Sequence, residues 1–202
     1  MTDKAAHDAV PTALRTPGLN SKDLGNIGEF WYRGRFGKGS DWSQMGVDAG
    51  SLGKSADGMP IPSTKRAPDV IDEQGRIVEV KGGAENVQNA RKSDSGVTQF
   101  EDNMQMLGQT MAKDGVEREI TGVRYVFVDP KGGAANLVRG TDVKTPGWLW
   151  SRIELEDELS VELFNDHGVR AVLDRDTIRE ARLTPQDLAT WLEGGNLTKE
   201  WP

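Results

Sequence analysis

Apolar residues, turn residues and charged residues follow one another most regularly between residues 66 and 83. The apolar pair Val70-Ile71 precedes a short polar segment that contains Gly75, and an alternating run then covers residues 76–81. Two apolar runs separated by a short turn with a glycine are typical of a β-hairpin. The pattern therefore predicts two antiparallel strands joined by a tight turn.

The second strand of this hairpin carries charge in an unusual place. Successive side chains of a strand point to opposite faces, so Ile77, Glu79 and Lys81 share one face. Val78 and Val80 share the other face. A carboxylate and an amine are therefore expected to point the same way from a strand that otherwise consists of isoleucine and valine.

The first strand of the hairpin can bring Asp69 beside Glu79. Two carboxylates with converging oxygens suit a hard divalent cation such as Mg²⁺. Lys81 next to them can face a phosphate group or an attacking water. The hairpin is therefore the candidate functional site of the chain, although charges also meet by chance on a surface hairpin.

A helix is predicted before the hairpin. Ser21 is a favourable N-cap residue, and apolar residues at helical spacing extend from it to about Gly34. Gly25 and Gly28 lower the helix propensity of this segment, so we expect them to mark close approach to another backbone. The apolar face is predicted to comprise Leu24, Ile27 and Trp31.

A second helix is predicted after the hairpin. Residues 98–101 have the sequence of a capping box, and the apolar spacing that follows extends to about Lys113. The core face of this helix is predicted to comprise Phe100, Met104, Leu107 and Met111. Residues 122–128 then form an apolar run, which predicts a buried strand.

The pattern is mixed in the last third of the chain. The spacing of Leu155, Leu159 and Leu163 fits a helix, and residues 169–173 predict a strand. Thr184 begins a clear helix that Gly194 ends. Its apolar face is predicted to comprise Leu188, Trp191 and Leu192.

The order of these elements predicts an α/β (α+β) fold with a mixed central sheet flanked by helices. Residues 1–20 are interpreted as a loose N-terminal arm or the edge of a longer protein, residues 21–145 as the core, and residues 146–202 as an acidic C-terminal α/β extension packed on it. Residues 36–65 are rich in glycine and too long for an ordinary loop. We expect either a hidden strand at residues 45–47 or a flap over the active face.

Pro68-Asp69, followed after nine residues by Glu79-Val80-Lys81, resembles the PD-(D/E)xK motif of the restriction-endonuclease-like nuclease superfamily. The resemblance covers residues 21–130 and implies an αβββαβ core, provided that one more strand lies in the long loop. The segment Gly25–Phe30 is similar to the first helix of nuclease domains in bacterial polymorphic toxins.

The resemblance implies specific roles for the residues of the motif. Asp69 and Glu79 would hold Mg²⁺, with Mn²⁺ as a substitute, together with the backbone carbonyl of Val80. Lys81 would orient the water or stabilise charge on the phosphate. Glu29 would complete the metal site in the toxin families, and a solvated surface glutamate is the equal alternative.

Further residues are also candidates for the site. In the toxin nucleases a glutamine on the second helix often lies near the catalytic lysine, which makes Gln99 a candidate; a polar residue that only begins a helix is the alternative. Basic residues in or near the flexible segments are interpreted as contacts to a phosphate backbone, or as plain solvation. They are Arg33, Arg35, Lys65, Arg66, Arg91 and Lys92.

Composition narrows the function classes. The chain has no cysteine and two histidines far apart, which argues against thiol, cysteine–zinc and histidine-based nuclease chemistry. No membrane span and no secretory signal are visible. The net charge is −7, but residues 151–202 hold 12 acids and 6 bases, whereas residues 1–150 hold 20 acids and 19 bases. The densest acidic run comprises Glu154, Glu156, Asp157, Glu158 and Glu162.

The sequence therefore predicts a Mg²⁺-dependent nuclease, with DNA favoured over RNA as the substrate. An interbacterial toxin domain is the favoured setting, in the cytoplasm or delivered into a target cell. It implies a cognate immunity protein, for which the acidic run is one docking candidate and otherwise a solubilising surface. The alternatives are a free-standing phage, repair or restriction nuclease, an RNA- or tRNA-cleaving toxin, and a non-enzymatic domain that kept the fold and binds a partner.

Overall fold

The computed structural model describes Gly18, residues 21–36, 68–83, Val87, and residues 99–113, 116–138 and 147–195. Its helices are α1 (Ser21–Phe36), α2 (Gln99–Met104), α3 (Pro130–Gly133), α4 (Trp148–Ile153), α5 (Arg175–Glu180) and α6 (Pro185–Leu192). Its strands are β1 (Val70–Ile71), β2 (Arg76–Lys81), β3 (Thr110–Lys113), β4 (Val116–Glu119), β5 (Gly122–Phe127), β6 (Leu159–Phe164) and β7 (Arg170–Leu173). A π-helical turn, Ala134–Val138, follows α3 directly.

Five strands form one mixed sheet in the order β1-β2-β5-β6-β7. The three central strands β2, β5 and β6 are parallel, and the edge strands β1 and β7 are antiparallel to their neighbours. The predicted mixed sheet flanked by helices is confirmed. Strands β3 and β4 form a separate hairpin. The carboxyl ends of the three parallel strands meet at one edge, which is where ligands commonly bind in open α/β sheets.

The two faces of the sheet belong to two hydrophobic clusters. Ile77, Tyr125 and Phe127 lie on the face of the larger cluster, which also takes residues from α2, α4 and α6. Val78, Val80 and Val126 lie on the face that α1 covers. This division confirms the alternation predicted along β2, and the predicted hairpin is confirmed by the pairing of β1 with β2.

Helix α1 contacts the sheet through Gly28. A β-carbon at this position would lie 3.3 Å from the Cα atom of Gly82 and 3.1 Å from a methyl group of Val128. The predicted close approach is therefore confirmed at Gly28. It is wrong at Gly25, where a β-carbon would meet nothing within 4 Å. Tyr32, one turn after Gly28, is buried.

The second predicted helix is shorter than its apolar spacing suggests. It ends at Met104, and residues Thr110–Lys113, predicted as its last turn, form strand β3. Gly108 explains the difference, because its positive φ of 74° leaves the helical region. Its N–H donates to the carbonyl of Ile120 at 2.9 Å, which closes the chain back onto the segment after β4.

The helical spacing of the leucines in the last third is also misleading. Residues Leu159–Phe164 form strand β6, and all six are buried. A strand covered on both faces loses its alternation of apolar and polar positions, so its leucines can coincide with a helical period. Strands β6 and β7 come from the predicted C-terminal extension and belong to the central sheet. The strand predicted at 169–173 and the helix begun by Thr184 are confirmed.

Several predictions lie outside the described residues. They concern the arm of residues 1–20, apart from Gly18, and the strand or flap within residues 36–65, of which only Phe36 is described. Within the described ranges, none of the helices is long and apolar enough to cross a membrane.

Candidate active site

The two charged residues of β2 are both buried near the carboxyl end of the strand. Glu79 is 1% exposed and Lys81 is 6% exposed. In the parallel register they lie opposite Tyr125 and Phe127 of β5, on the face of the larger hydrophobic cluster. Burying charged groups costs several kcal/mol, on the order of the stability of a whole domain, unless each is paired and hydrogen-bonded. Their partners therefore decide what the site can do.

Helix α2 supplies these partners. The ammonium group of Lys81 lies 3.0 Å from Oε1 of Gln99 and 3.4 Å from Oε2 of Glu79. The amide nitrogen of Gln99 donates to the same Oε2 of Glu79. Gln99 thus accepts from the lysine and donates to the glutamate, and it holds the two charged groups in one orientation. The predicted Glu79, Lys81 and Gln99 are brought together.

Asn103 is a fourth member of the network that sequence reasoning missed. Its amide nitrogen donates to Oε1 of Glu79 at 3.2 Å, and the residue is 3% exposed. Residues four positions apart share a helix face, so Gln99 and Asn103 approach Glu79 side by side. This spacing of two amides is the sequence signal that points to Asn103 once Gln99 is a candidate.

Asp69 lies at the start of β1, beside the same strand. Its Oδ2 accepts a hydrogen bond of 2.8 Å from the backbone N–H of Val80. The carboxylate is therefore held against β2 at the residue that follows Glu79. Val70 pairs with Val78 and Ile71 with Ile77. Continuing this register by one residue places Asp69 across from Glu79. Asp69 is partly exposed, in contrast to Glu79.

Glu29 follows Gly28 on α1, which covers the opposite face of the sheet from Glu79 and Lys81. It is partly exposed. Gly28 packs beside Gly82, the residue after Lys81, so Glu29 lies near the carboxyl end of β2. Among the described residues, no group of three or more His, Asp or Glu side chains lies close enough to hold a metal ion.

Aromatic packing fixes the helix that carries the two amides. The ring of Phe100 stacks on Tyr125 at 6.2 Å and meets Trp148 edge to face at 4.8 Å. The guanidinium of Arg152 lies over the Phe100 ring at 5.2 Å. Phe100 neighbours Gln99 in the chain and is fully buried. These contacts anchor α2 on β5 and α4, and they set the position from which the amides reach Glu79.

The donor set of the site fits a hard divalent cation. Asp69 and Glu79 provide two carboxylates from neighbouring strands, and both are hard oxygen ligands. Mg²⁺ is usually held by one or two carboxylates, with water completing its coordination. The predicted carbonyl of Val80 belongs to the same strand, and the N–H of that residue already binds Asp69.

The predicted nucleic-acid contacts remain predictions. Arg33 and Arg35 belong to the last turns of α1. The other four, Lys65, Arg66, Arg91 and Lys92, lie outside the described residues.

A second buried charged cluster lies on the other face of the sheet. Glu162 is 0% exposed, so its assignment to an exposed acidic run is wrong. Its Oε1 binds Arg170 at 2.6 Å and its Oε2 lies 3.7 Å from Arg124. Arg124 also donates to the hydroxyl of Ser160 at 3.1 Å. These partners compensate the carboxylate of β6 and tie β5, β6 and β7 together.

Burial and neighbouring charges shift the pKa values of this second cluster. Burial, followed by the charge of Glu162, raises the pKa of the Tyr32 hydroxyl above its ordinary value. Burial and the nearby Arg76 lower the pKa of Arg124. The hydrogen bond to Glu162 raises the pKa of Arg170. Tyr32 is therefore kept protonated, and its hydroxyl lies 3.5 Å from Oε2 of Glu162.

No protein-family model, curated protein or solved structure matches this chain. Its function is therefore inferred from the residues of the candidate site.

Proposed function

We propose that this chain is a Mg²⁺-dependent nuclease that hydrolyses phosphodiester bonds, with DNA favoured as the substrate. One observation carries the proposal: a glutamate and a lysine are buried side by side at the carboxyl end of a parallel strand and are oriented by Gln99. Burying two charged groups costs stability, and they lie at the edge of the sheet where ligands commonly bind, which points to a functional role. Asp69, one strand away, adds the second carboxylate of the motif.

Asp69 and Glu79 would hold the cation together with the carbonyl of Val80. When bound, a divalent cation supplies a Lewis acid that polarises the phosphate and offsets charge on the leaving oxygen. The hydrogen bond from Val80 to Asp69 keeps this carboxylate beside β2. Asn103 and Gln99 hold the Glu79 carboxylate from the other side, so little reorientation of the protein is needed when substrate arrives.

Lys81 would stabilise negative charge on the phosphate and orient the attacking water. Its ammonium group lies 3.0 Å from Oε1 of Gln99, which accepts a hydrogen bond from one of the three N–H groups of the lysine. A cation in a site shielded from water interacts more strongly with a developing negative charge than it would in solvent. The burial of Lys81 therefore serves this role, although it costs stability.

The order of the described elements supports a restriction-endonuclease-like core. Helix α1, strands β1 and β2, helix α2 and strand β5 occur in this order along the chain, with the separate β3–β4 hairpin inserted between α2 and β5. The first two strands are antiparallel, β5 is parallel to β2, and the two helices lie on opposite faces. The further strand that the αβββαβ order requires would belong to residues 37–67, outside the described ranges.

The proposed setting is an interbacterial toxin with a cognate immunity protein. The sequence around Gly28 and Glu29 is what supports it, together with the seating of Gly28 against Gly82. Glu29 would add a ligand at the carboxyl end of β2. Free-standing phage, repair and restriction nucleases share the same site chemistry, and the substrate assay below separates DNA from RNA.

The test incubates the purified protein with plasmid DNA, linear DNA and total tRNA, in Mg²⁺, in Mn²⁺ and in EDTA. We expect cleavage of DNA in either cation and none in EDTA. Glu79→Gln should abolish cleavage, because it removes a carboxylate charge while conserving shape. Glu154→Gln makes the same change at an exposed position and should cleave as the wild type does. Cleavage by the Glu79 variant at the wild-type rate would refute the proposal.

A non-enzymatic partner-binding domain is the second candidate, and one observation favours it. Both carboxylate oxygens of Glu79 already accept hydrogen bonds from α2, so the network is closed without a ligand. A thermal-shift titration separates the two functions. A nuclease should gain stability with Mg²⁺ and lose that gain in Asp69→Asn. A binding domain should show neither a shift nor cleavage of any nucleic acid.

A further inference from the structure

A cavity of about 450 Å³ opens at the carboxyl edge of the sheet. Its walls come from the segment that follows β5, from the turn that follows β6 and from helix α6. The size lies within the range of small-molecule sites, about 300–1,000 Å³. Nothing in the proposed catalytic chemistry uses it.

The cavity lies on the same face of the sheet as Glu79 and Lys81. A β-carbon on Gly132 of α3 would lie 2.9 Å from the ring of Phe127, which belongs to the hydrophobic cluster of that face. It would lie 2.5 Å from the carbonyl oxygen of Gly83, two residues after Lys81. The segment that forms one wall of the cavity is therefore seated directly against the end of β2.

The strand order gives the distance between the cavity and the catalytic residues at the end of β2. Neighbouring strands lie about 4.8 Å apart, so the ends of β5 and β6 are about 5 and 10 Å from the end of β2. Stacked nucleotides of one DNA strand advance about 3.4 Å each. A nucleotide chain whose phosphate lies at Lys81 can therefore reach the cavity within a few residues.

The chemistry of the cavity fits a nucleotide. Apolar residues line its walls, among them Ala134, Ala135 and Leu192, and such walls accept the face of a flat ring. Lys131, which is exposed, can bind a phosphate. Asp166 and Glu193 also line the cavity, and the carboxylates of such residues can accept hydrogen bonds from an exocyclic amino group.

We infer that this cavity binds the base of a nucleotide close to the scissile phosphate and prefers an amino-bearing base, guanine above all, over thymine. Guanine offers two adjacent N–H donors to one carboxylate, whereas thymine offers a single ring N–H. The inference rests on the proposed nuclease function, because it concerns how the same site would select its substrate. It assigns base preference to the turn after β6 and to α6, away from the catalytic residues.

The experiment titrates the 202-residue protein with dGMP and dTMP in EDTA and follows binding by saturation-transfer NMR. We expect dGMP to bind at least about fivefold more tightly than dTMP, as a carboxylate paired with two base donors provides. Ala189→Phe fills the cavity and should weaken dGMP binding at least about tenfold, one decade of affinity. Gln186→Phe adds the same ring at an exposed position of α6 outside the cavity and should bind as the wild type does.

Two further samples separate the cavity from the catalytic site. Glu79→Gln should bind dGMP normally, and Lys131→Gln should bind dGMP no better than deoxyguanosine. The inference is overturned if neither nucleotide binds the wild type, if both bind equally, or if Ala189→Phe leaves binding unchanged. Binding is measured without metal and without turnover. If the protein binds dGMP but cleaves no nucleic acid, only the nuclease proposal is refuted. If the protein cleaves DNA but binds neither nucleotide, only the inference about the cavity is refuted.

Discussion

Two glycines of α1, three residues apart, should respond in opposite ways to the same substitution. In a helix interior, alanine is favoured over glycine by about 0.8–1.0 kcal/mol. Gly25→Ala should gain stability of this size, since its new β-carbon meets no atom within 4 Å. Gly28→Ala gains the same propensity, but its β-carbon would lie 3.1 Å from a methyl group of Val128 and 3.3 Å from the Cα atom of Gly82.

The tight contact at Gly28 decides whether Gly28→Ala raises or lowers the free energy of unfolding. The Val128 methyl can yield, but Gly82 offers its backbone, which follows the buried Lys81. Overpacking a well-filled core costs about 1–3 kcal/mol. The gain in helix propensity offsets part of this overpacking cost, so Gly28→Ala should be less stable than the wild type by about 0–2 kcal/mol. The free energies of unfolding of the two variants should therefore differ by about 1–3 kcal/mol, with Gly25→Ala the more stable.

Urea denaturation followed by tryptophan fluorescence measures the difference. For a chain of this length, each kcal/mol corresponds to about 2–4 °C in Tm, so calorimetry offers an independent check. The double variant should show additive effects, because only one of the two positions contacts the sheet. Equal stabilisation by both substitutions would refute the reasoning, since α1 would then not be seated on the end of β2 through Gly28.

Three other predictions concern buried charge. Lys81→Ala should destabilise the fold by about 3–5 kcal/mol in denaturant titrations, because it leaves the Glu79 carboxylate buried without its cation. The double variant that also carries Glu79→Gln should recover most of this loss. A double variant that recovers no stability would contradict the pairing of Lys81 with Glu79. Glu162→Gln should cost a similar amount because it leaves two arginines without their carboxylate, whereas Asp157→Asn, which breaks an ion pair with a largely exposed carboxylate, should cost less than about 1 kcal/mol. Because the pKa of Tyr32 is raised above its ordinary 10.0, the stability that its burial provides is complete below pH 10 and is lost as the pH rises further. Tyr32→Phe should therefore lose less stability than the wild type between pH 8 and pH 11 in thermal melts, and an identical loss would exclude Tyr32 as a source of the alkaline sensitivity.

The sequence by itself determined the local geometry of the candidate site. Strand alternation is a property of the backbone, so Glu79 and Lys81 had to share a face once residues 76–81 formed a strand. The short polar turn with Gly75 set the hairpin, and the hairpin set the neighbourhood of Asp69. Helix α6 was equally local, because Thr184 and Asp187 form a reciprocal capping box that begins it.

Only the tertiary structure decided what surrounds those residues. Gln99 and Asn103 are distant from Glu79 in sequence, and the packing of Phe100 on β5 is what brings them to it. Strand β6 has no local signature, because a strand covered on both faces loses its alternation and its leucines then coincide with a helical period. Burial of Glu162 depends on Arg170, which belongs to the next strand. Contacts between distant segments have no periodicity along the chain, and for this physical reason no local pattern could predict them.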